Sequence, residues 1–598
     1  MRDFKENTRT QKDMVVIKRI IAYLIPYKGK FFLAVFMTLI TTLIGLLPPL
    51  MIGTLINVLI DASNTIEDKV LFMIGIGIAY AVLLVIGNIL HYKQTIILQV
   101  MGQKIVLKLR NDVFSHIENL SIAQLNEVPV GKLVTRVCND TNSLGELFTS
   151  VFVNLIRCIV TLIASVIILL IISPIMTFYI VVIIIPIALT ATIIFRVMTR
   201  KSYRRIRNNI SDINAFLAEN LSGIKVTQMF NQEEKKIEEY NQKNSLIRKN
   251  WFKQISIFAI YRPIIYLTSI AGTVLTFYFG MREVMAGAML AGTVVMFYQY
   301  VGDFFRPIEE LTDLFNVIQD ALSSAEKIFD VLDTEADIVD TEDAIELESF
   351  SGRIEFKNVW FHYVENEWVL KDISFKVEPG EVVAFVGATG SGKTTILSLI
   401  VRNYEIQKGQ ILIDGIDIKK IKRSSLRRHF GQMLQDVFLF SGTIKDNITL
   451  NEDSITLDEV MEASKYVGAD HFVESLPGKY NHQVLERGNN FSTGQRQLLS
   501  FARAICYKPS VMILDEATAN IDSETESIIQ ESLKKIMNIS TMLIVAHRLS
   551  TIQHSNKIIV MQKGEIKEMG NHQELLRKEG IYYSLYQLQY DDSQNKLN

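Results

Sequence analysis

The first 306 residues alternate between polar segments and long stretches that contain no charged residue. An α-helix rises 1.5 Å per residue, so roughly 20 apolar residues cross a hydrocarbon core about 30 Å thick. Ser173 and Pro174 interrupt the longest stretch at its centre, which predicts two spans joined by a tight turn. Six membrane spans are therefore predicted, in the uncharged stretches 31–60, 70–90, 158–195 (two spans), 264–279 and 289–302.

Two local features refine the first span. Pro48 and Pro49 predict a kink inside it, because proline lacks the backbone N–H that a continuous helix needs. The preceding segment 15–25 is apolar but includes Lys18 and Arg19, which predicts a helix lying in the membrane interface. The first uncharged stretch is too long, and begins too far along the chain, for a cleaved signal peptide.

Lysine and arginine collect on one side of the predicted spans. The first 30 residues hold eight of them and residues 196–253 hold thirteen. The segments between spans one and two, three and four, and five and six hold one, none and one. By the positive-inside rule, the N-terminus, the long polar segments and the C-terminal half all lie in the cytoplasm.

The chain changes character after the last span. Residues 91–150 and 196–255 are too long for loops and carry helical patterns, so spans two to five are expected to continue as helices below the membrane. An acid-rich stretch and then short apolar runs separated by glycine follow. The predicted organisation is a transmembrane domain over 1–324, a linker over 325–351 and a soluble domain over 352–592.

Composition agrees with two unlike halves. Hydrophobic residues make up 49% of the chain and mean hydropathy is +0.22, which is more apolar than an ordinary soluble enzyme. The 62 basic and 64 acidic residues nearly cancel, which argues against a nucleic-acid partner. Cys138, Cys158 and Cys506 are widely separated and predict neither a disulfide framework nor a zinc site.

Residues 387–394 form a glycine-rich phosphate-binding motif. Their sequence, GATGSGKT, matches GxxxxGK[ST] between a strand-like run at 382–386 and a helical run at 395–402. Glycines let backbone N–H groups surround phosphates, Lys393 reaches the β- and γ-phosphates, and the Thr394 hydroxyl is suited to Mg²⁺. The motif therefore predicts nucleotide binding.

Two further polar sites follow apolar, strand-like runs. Residues 510–514 are followed by Asp515 and Glu516, which fit a Mg²⁺-holding carboxylate and an acid that orients the attacking water. His547 follows the run 542–546. Either pattern alone is common, but together and after a P-loop they predict nucleotide hydrolysis.

The segment between these motifs carries a family resemblance. Residues 491–495, with the sequence FSTGQ, resemble the LSGGQ signature of ATP-binding cassette proteins and end 20 residues before Asp515. With the six preceding spans, residues 15–590 resemble a bacterial ABC exporter half-transporter of the type IV, multidrug-exporter-like class. The resemblance implies an all-α six-helix transmembrane domain followed by an α/β P-loop nucleotide-binding domain with a β-subdomain and a helical subdomain.

The resemblance also implies roles for individual residues. Glu516, His547 and Gln435 would be catalytic, Tyr363 would stack on adenine, and Asp522 would be the D-loop aspartate. Mg²⁺ would be held by Thr394, Gln435 and Asp515. The full set of implied ATP contacts is Tyr363, Gly387, Thr389, Gly390, Ser391, Gly392, Lys393, Thr394, Thr395, Ser492, Gly494, Gln495 and Asp522.

The signature further predicts that two cassettes pair head to tail. At a helix N-terminus, Ser492 and backbone donors face a phosphate, yet within one domain they cannot also face that domain's own P-loop. The functional unit is then a dimer with ATP in the interface. The resemblance places coupling helices near 121–127 and 211–221, and a loop at 482–488 that senses the opposite subunit.

Two positions depart from the family signature, and Phe491 in place of leucine is the milder change. Thr493 stands where the consensus has glycine and adds a β-branched side chain at a close approach to phosphate. Glu516 and His547 are intact, so the P-loop side is expected to hydrolyse ATP. The combination resembles the catalytically intact subunit of heterodimeric exporters, and it favours a heterodimer over a homodimer that tolerates Thr493.

The expected activity is ATP-driven export of amphipathic or hydrophobic small molecules across the plasma membrane by alternating access. The open alternatives are a lipid or peptide exporter acting as a homodimer, an exporter-fold importer, and an ATP-gated channel or regulator. A peptide exporter that processes its own cargo is disfavoured, because the first span begins by residue 31. Membrane lipids are expected partners.

Several side chains near the predicted spans are candidates for a translocation pathway. Arg157, Arg262 and Asp303 lie close to the cytoplasmic boundary, either as a polar entrance to an inward-facing cavity or as charges that pair or extend to the headgroups. Aromatic residues of the last span could stack on amphipathic cargo or pack between helices. They are Phe297, Tyr298 and Tyr300.

Overall fold

The structure is a computed structural model, and it describes residues 13–433, 437–515, 523–537, 540–545 and 552–595. The described chain divides into two compact units. The membrane unit comprises residues up to 118 together with 130–334, and the nucleotide unit comprises 119–129 together with the chain from 335 onward.

Helices account for nearly all of residues 13–332. A 3₁₀ turn, Ile25–Tyr27, joins the first two helices, and π-helical turns at Arg136–Asp140 and Leu147–Val151 make α6, α7 and α8 one continuous helical stretch. The helices are α1 Asp13–Leu24, α2 Lys28–Gly45, α3 Leu47–Ile60, α4 Ile66–Asn119, α5 Ile122–Glu127, α6 Val130–Thr135, α7 Thr141–Glu146, α8 Phe152–Ile172, α9 Pro174–Ser222, α10 Ile224–Met229, α11 Glu233–Met285 and α12 Ala291–Leu332.

Within the described residues, five helical stretches are long and apolar enough to cross a membrane. They are Met14–Ile60, Ile66–Asn119, Val130–Ile172, Pro174–Ser222 and Glu233–Met285. The sixth predicted span lies in α12, which does not belong to this group. Polar residues Gln299, Asp303 and Arg306 interrupt its apolar sequence, so a total of six spans stays a prediction.

Prolines define two helix junctions as predicted. The first span breaks at Leu46, and Pro48 lies in the first turn of α3, where a missing N–H leaves no hydrogen bond unmade. Ser173 separates α8 from α9, and its hydroxyl accepts a hydrogen bond from the Met176 N–H at 3.4 Å while Pro174 begins the helix. Both the kink and the tight turn are confirmed.

The predicted N-terminal helix exists as α1, but protein covers one of its faces. Val16 and Ile20 are buried. Arg19 donates hydrogen bonds of 2.6 and 2.8 Å to the two carboxylate oxygens of Asp333, and its guanidinium lies 4.1 Å from the centre of the Phe329 ring. The helix therefore packs on the end of α12 as well as presenting an exposed apolar side.

The expected continuation of the spans as long helices is confirmed. Helix α4 has 54 residues, which corresponds to about 81 Å at 1.5 Å per residue, far more than a bilayer core requires. The apolar stripe of Ile105, Leu109, Val113 and Ile117 is buried along its second half. This spacing of four residues places the stripe on one helix face.

The described part of the nucleotide unit contains three sheets. A four-stranded antiparallel sheet has the order β2-β1-β4-β5, a six-stranded sheet has the order β12-β11-β3-β10-β9-β6, and β7 pairs with β8. In the larger sheet, only the edge strand β12 is antiparallel to its neighbour. The strands are β1 Ile354–His362, β2 Trp368–Val377, β3 Val382–Val386, β4 Lys408–Ile413, β5 Ile416–Asp417, β6 Phe430–Met433, β7 Gly442–Thr443, β8 Gln483–Val484, β9 Val511–Asp515, β10 Thr541–Val545, β11 Lys557–Gln562 and β12 Glu565–Gly570.

Two hydrophobic cores cover the two faces of the large sheet. Along β3, Val382, Ala384 and Val386 face one core, and Val383 and Phe385 face the other, as the two-residue period of a strand requires. The first core includes residues of the helical subdomain, and the second includes the small antiparallel sheet. The helices are α13 Lys393–Ile400, α14 Arg423–Arg428, α15 Ile444–Thr449, α16 Leu457–Tyr466, α17 Asp470–Ser475, α18 Thr493–Cys506, α19 Ser523–Ile536, α20 His572–Arg577 and α21 Ile581–Asn595.

Candidate active site

The P-loop joins the central strand β3 to the N-terminus of α13. Gly387 and Gly392 have φ angles of +151° and +101°, in the region that favours glycine. A Cβ atom at Gly387 would lie 2.2 Å from the Met561 carbonyl oxygen, and one at Gly392 would lie 2.6 Å from the Leu370 side chain. Backbone curvature and close packing both require glycine at these two positions.

The Lys393 side chain forms hydrogen bonds with the backbone of its own loop. The side chain is buried, and its ammonium group donates to the carbonyl oxygens of Gly387 at 2.8 Å and Ala388 at 3.0 Å. Among the described residues, the buried hydroxyl of Ser391 has no hydrogen-bond partner. A buried hydroxyl without a partner is costly, and a phosphate oxygen would satisfy it.

Two oxygen ligands suited to magnesium lie together beside this loop. The Thr394 hydroxyl donates a 3.3 Å hydrogen bond to a carboxylate oxygen of Asp515, the last residue of β9. A hydroxyl and a carboxylate are oxygen donors of the kind that Mg²⁺ prefers. The two residues therefore fit a magnesium ion by their chemistry and their proximity.

Tyr363 flanks the loop with a partly open aromatic ring. Its hydroxyl is 3.0 Å from the Thr395 hydroxyl, to which it donates, and its side chain is 44% exposed. The rings of Phe361 and Tyr404 contact it edge to face at 4.8 and 5.0 Å between centroids. Burial of the phenol raises the pKa of Tyr363, so the ring stays neutral near pH 7. An exposed, fixed, neutral ring is suited to stacking on a base.

The signature segment begins α18 with a complete capping box. The Ser492 hydroxyl accepts from the Gln495 N–H at 3.2 Å, and the Gln495 side-chain oxygen accepts from the Ser492 N–H at 3.0 Å. Gly494 is buried. Thr493 is exposed, and its hydroxyl accepts from the Arg496 guanidinium at 3.3 Å.

Four predicted site residues, Gln435, Glu516, Asp522 and His547, lie outside the described residues. The strands that precede three of them, β6, β9 and β10, are described. Val545 of β10 lies beside Asp515 of β9 and beside Phe385 of β3 in parallel register. Because parallel strands end at a common sheet edge, β9, β10 and β3 all end at the P-loop edge of the sheet.

Helix α5, at the position predicted for the first coupling helix, reaches the surroundings of Tyr363. Its N-cap is Ser121, and the Asn126 side-chain amide donates to the Tyr404 hydroxyl at 3.3 Å. Gln124 of the same helix donates to the Glu335 carbonyl at 2.8 Å. Sequence reasoning missed Tyr404, because a tyrosine 278 residues from its partner carries no local signal.

The second predicted coupling segment is not a separate helix. Residues 211–221 lie inside α9, which ends at Ser222, and the short helix α10 begins only at Ile224. Gly223 ends α9 by donating its N–H to the Glu219 carbonyl at 2.9 Å. Glycine commonly ends helices, and it determines the break here.

The membrane unit contains a separate cavity of about 1120 Å³. Residues of α8, α9, α11 and α12 line it, and most of them are apolar. The predicted aromatic contributors lie elsewhere. Phe297 and Tyr300 are fully buried between helices, and the Tyr300 hydroxyl donates to the Leu46 carbonyl at 2.5 Å. Helix packing is their role.

Of the charges predicted near the cytoplasmic boundary, Arg157 is paired. Its guanidinium donates to Glu310 at 2.9 Å, and the Cys158 thiol donates to the same carboxylate oxygen at 3.4 Å. Both members of the ion pair are 41% exposed. Of the two predicted alternatives, a polar cavity entrance or a paired charge, the paired charge therefore applies to Arg157.

Comparison with known proteins agrees with this arrangement. Residues 31–308 match the ABC transporter transmembrane region family, and residues 370–519 match the ABC transporter family. The chain is 37% identical over 515 residues to the "Probable multidrug resistance ABC transporter ATP-binding/permease protein YheH" of Bacillus subtilis, covering 85% of this chain and 76% of that protein. It is 34% identical over 508 residues to the "ATP-dependent lipid A-core flippase" of Syntrophus aciditrophicus, covering 84% and 83%. The chain belongs to the ABC exporter family.

A solved structure shares the fold of this ABC exporter. The "Structure of a bacterial Atm1-family ABC exporter with ATP bound" superposes with a TM-score of 0.81 at 24% identity, over 94% of this chain and 99% of that one. The exporter is thus a multi-pass membrane protein whose cassette binds ATP and couples its hydrolysis to transport. ABC half-transporters of this kind act as dimers.

Proposed function

We propose that this chain is the catalytically intact half of a heterodimeric exporter that moves amphipathic or hydrophobic small molecules, multidrug-type, out across the plasma membrane. The N- and C-termini would be cytoplasmic, in agreement with the lysine and arginine distribution. The geometry of the P-loop supports the proposal that this chain binds and hydrolyses ATP. Lys393 is buried and donates to the loop backbone, and the buried Ser391 hydroxyl has no partner among the described residues, so both are available to a phosphate.

ATP binding would exchange internal contacts for phosphate contacts. The Lys393 ammonium would leave the two carbonyls that it now binds and donate to the β- and γ-phosphates, while Ser391 and the backbone N–H groups of the loop would surround the β-phosphate. Tyr363 would stack on adenine. Mg²⁺ held by Thr394, Asp515 and Gln435 would neutralise phosphate charge.

Hydrolysis would use residues at the ends of β9 and β10. Glu516 would accept a proton from the attacking water and orient it in line with the γ-phosphate, and His547 would donate to the γ-phosphate oxygens. Gln435 would complete the site from the segment after β6. Hydrolysis would weaken the dimer interface, because ATP is the ligand that the two cassettes share, and ADP and phosphate would then leave.

The signature of each subunit would complete the site of the other. Ser492, Gly494 and Gln495 at the N-terminus of α18, with Asp522, would face the γ-phosphate bound to the partner's P-loop. In this chain the exposed Thr493 places a β-branched side chain beside that approach. We therefore assign a weak signature to this chain and a consensus signature to its partner, which favours a heterodimer.

Affinity purification of the tagged chain from its native host tests the partner directly. A second half-transporter in equal amount, with a consensus signature and without the catalytic glutamate, is expected in the purified complex. Recovery of only tagged and untagged copies of this chain would contradict the heterodimer. ATP-driven uptake of a fluorescent lipophilic dye into inside-out vesicles tests export, and flux in the opposite direction would contradict it.

Lipid export is the second candidate. The cavity of the membrane unit is mostly apolar, and one relative carries the name of a lipid A-core flippase. ATP-dependent translocation of a labelled lipid between the leaflets of reconstituted vesicles would favour lipid export over drug export if the lipophilic dye does not compete with the lipid.

A further inference from the structure

The cavity in the membrane unit has an apolar end and a charged end. Helix α8 contributes Leu162, Ile163, Val166 and Ile167 to its wall. Among the described side chains, the ionisable residues that line it are Arg196 and Arg207 of α9, Asp320 of α12 and Tyr203. These two arginines and one aspartate contribute a formal excess of one positive charge to this end.

The two ends lie at different depths. Ile167 is five residues from the end of α8 at Ile172, or about 8 Å, whereas Arg196 is 22 residues from the start of α9, or about 33 Å. Both distances are measured along the helix axes from the helix ends that flank the turn at Ser173. With a hydrocarbon core about 30 Å thick, the apolar end lies within the core and Arg196 lies at headgroup level.

The charge of Arg196 is available to a ligand. Its guanidinium lies 4.1 Å from the centre of the Phe315 ring, which holds it in place without neutralising it. No carboxylate among the described side chains lies within 4.0 Å of Arg196. Arg207 and Asp320 form only a loose pair at 4.0 Å, and both are 71% exposed.

A buried hydroxyl in the same wall lacks a partner. Thr199 lines the cavity one helical turn after Arg196 and is 5% exposed. Within the described part of the chain its hydroxyl makes no hydrogen bond. A hydroxyl donor one helical turn from a guanidinium in the same cavity wall is suited to the oxygens of an anion, and it would regain the hydrogen bond that burial denies it.

We propose that this cavity binds an amphipathic anion, with a carboxylate or phosphate head at Arg196 and Thr199 and a hydrocarbon tail along the α8 wall. This assignment rests on the proposed export function and narrows its cargo from amphipathic molecules in general to those with one negative head. Phe315 and Trp251 supply the aromatic surroundings of the head.

Competition binding tests the assignment on the full chain in phosphatidylcholine nanodiscs without ATP. Radiolabelled hexadecanoate is the probe, and hexadecanoate, hexadecanol and a lysophosphatidylglycerol are competitors. A hydrogen bond to a charged group is worth about 1.5–3 kcal/mol, so the carboxylate is expected to compete at least about tenfold better than the alcohol. Equal competition by hexadecanol and hexadecanoate would overturn the proposal.

Matched variants locate the site. Arg205 lies nine residues after Arg196, about 180° around the same helix, and is exposed away from the cavity lining. R196Q is expected to lose the preference for carboxylate about tenfold while keeping hexadecanol binding, which shows that the variant is folded; R196K keeps most of the preference, and R205Q keeps all of it. An identical loss in R196Q and R205Q would overturn the site.

The remaining outcomes separate the two proposals. Stronger competition by lysophosphatidylglycerol than by hexadecanoate would support the site and identify a phospholipid as its ligand, and the reverse would identify a free carboxylate. Intact carboxylate preference without any ATP-driven flux in vesicles would contradict export alone. Intact export of a lipophilic cation with no carboxylate preference would contradict the anion site alone.

Discussion

The P-loop and the signature segment both lead into a helix N-terminus, a position that favours phosphate binding, yet they satisfy their polar groups in opposite ways. Gly392 begins α13 with no side-chain cap, and the nearby Ser391 hydroxyl is buried without a described partner. Ser492 begins α18 with a complete capping box in which donors and acceptors are already paired. The P-loop therefore has a polar group that a ligand can satisfy, whereas the signature segment satisfies its polar groups without a ligand.

This difference explains why the P-loop tolerates fewer substitutions than the signature segment. A loop whose curvature depends on positive φ angles and on a Cβ-free approach admits few substitutions. A capped helix end keeps its structure when the neighbouring residue changes, so the family glycine could be replaced by Thr493 without local unfolding. In the proposed dimer, the cost of that replacement would fall on the nucleotide bound by the opposite subunit.

Lys393→Ala is expected to have the largest effect. Loss of the charged donor to the β- and γ-phosphates should lower ATPase activity of the assembled exporter by about 10²–10³-fold. Lys465→Ala, an exposed lysine in the last turn of α16, should leave activity within about twofold of the parent. Phosphate release from purified protein measures both, and equal activity of the two variants would remove Lys393 from the site.

Gly392→Ala is expected to have the next largest effect. Its Cβ would lie 2.6 Å from the Leu370 side chain at a φ of +101°, which should destabilise the loop by about 1–3 kcal/mol and weaken ATP binding about tenfold or more. Gly131→Ala in α6 is the control, since a Cβ there meets no atom within 4 Å. Nucleotide affinity and the melting temperature report the effect, and unchanged ATP affinity in Gly392→Ala would contradict the account.

Ser492→Ala is expected to have the smallest effect on hydrolysis. In a heterodimer this signature faces the partner's degenerate site, so turnover at Glu516 should change by less than about twofold, while loss of the N-cap should cost about 1 kcal/mol of stability. In a homodimer the same change would remove a phosphate donor from every active site. A fall in turnover as large as that of Lys393→Ala would therefore exclude the asymmetric arrangement.

Local sequence patterns predicted much of this molecule. Uncharged runs located the helices, and the P-loop residues lie together with Thr394 beside Asp515, as their motif required. Contacts between distant segments were not predictable. The Arg19–Asp333 pair joins residues 314 apart, and the Asn126–Tyr404 hydrogen bond joins residues 278 apart. Such contacts depend on helix orientation, which no periodicity encodes.

One prediction was misplaced, and one pair of alternatives needed the structure to decide it. The second coupling segment was predicted near 211–221, yet α9 continues to Ser222 and ends only at Gly223. For Phe297 and Tyr300 the sequence allowed either contact with cargo or packing between helices, and the structure shows packing between helices. An aromatic residue on an apolar helix carries the same local signal whether it faces a cavity or a neighbour.

The ATPase activity of the chain purified without any partner shows whether the chain needs a different partner subunit. We expect low activity for the parent chain and a rise of about tenfold or more in Thr493→Gly, because glycine restores the close approach to phosphate. Thr493→Ser should stay low, and Glu516→Gln added to Thr493→Gly should abolish the gain. High activity of the parent chain alone, unchanged in Thr493→Gly and lost in Glu516→Gln, would contradict the claim that this chain needs a different partner.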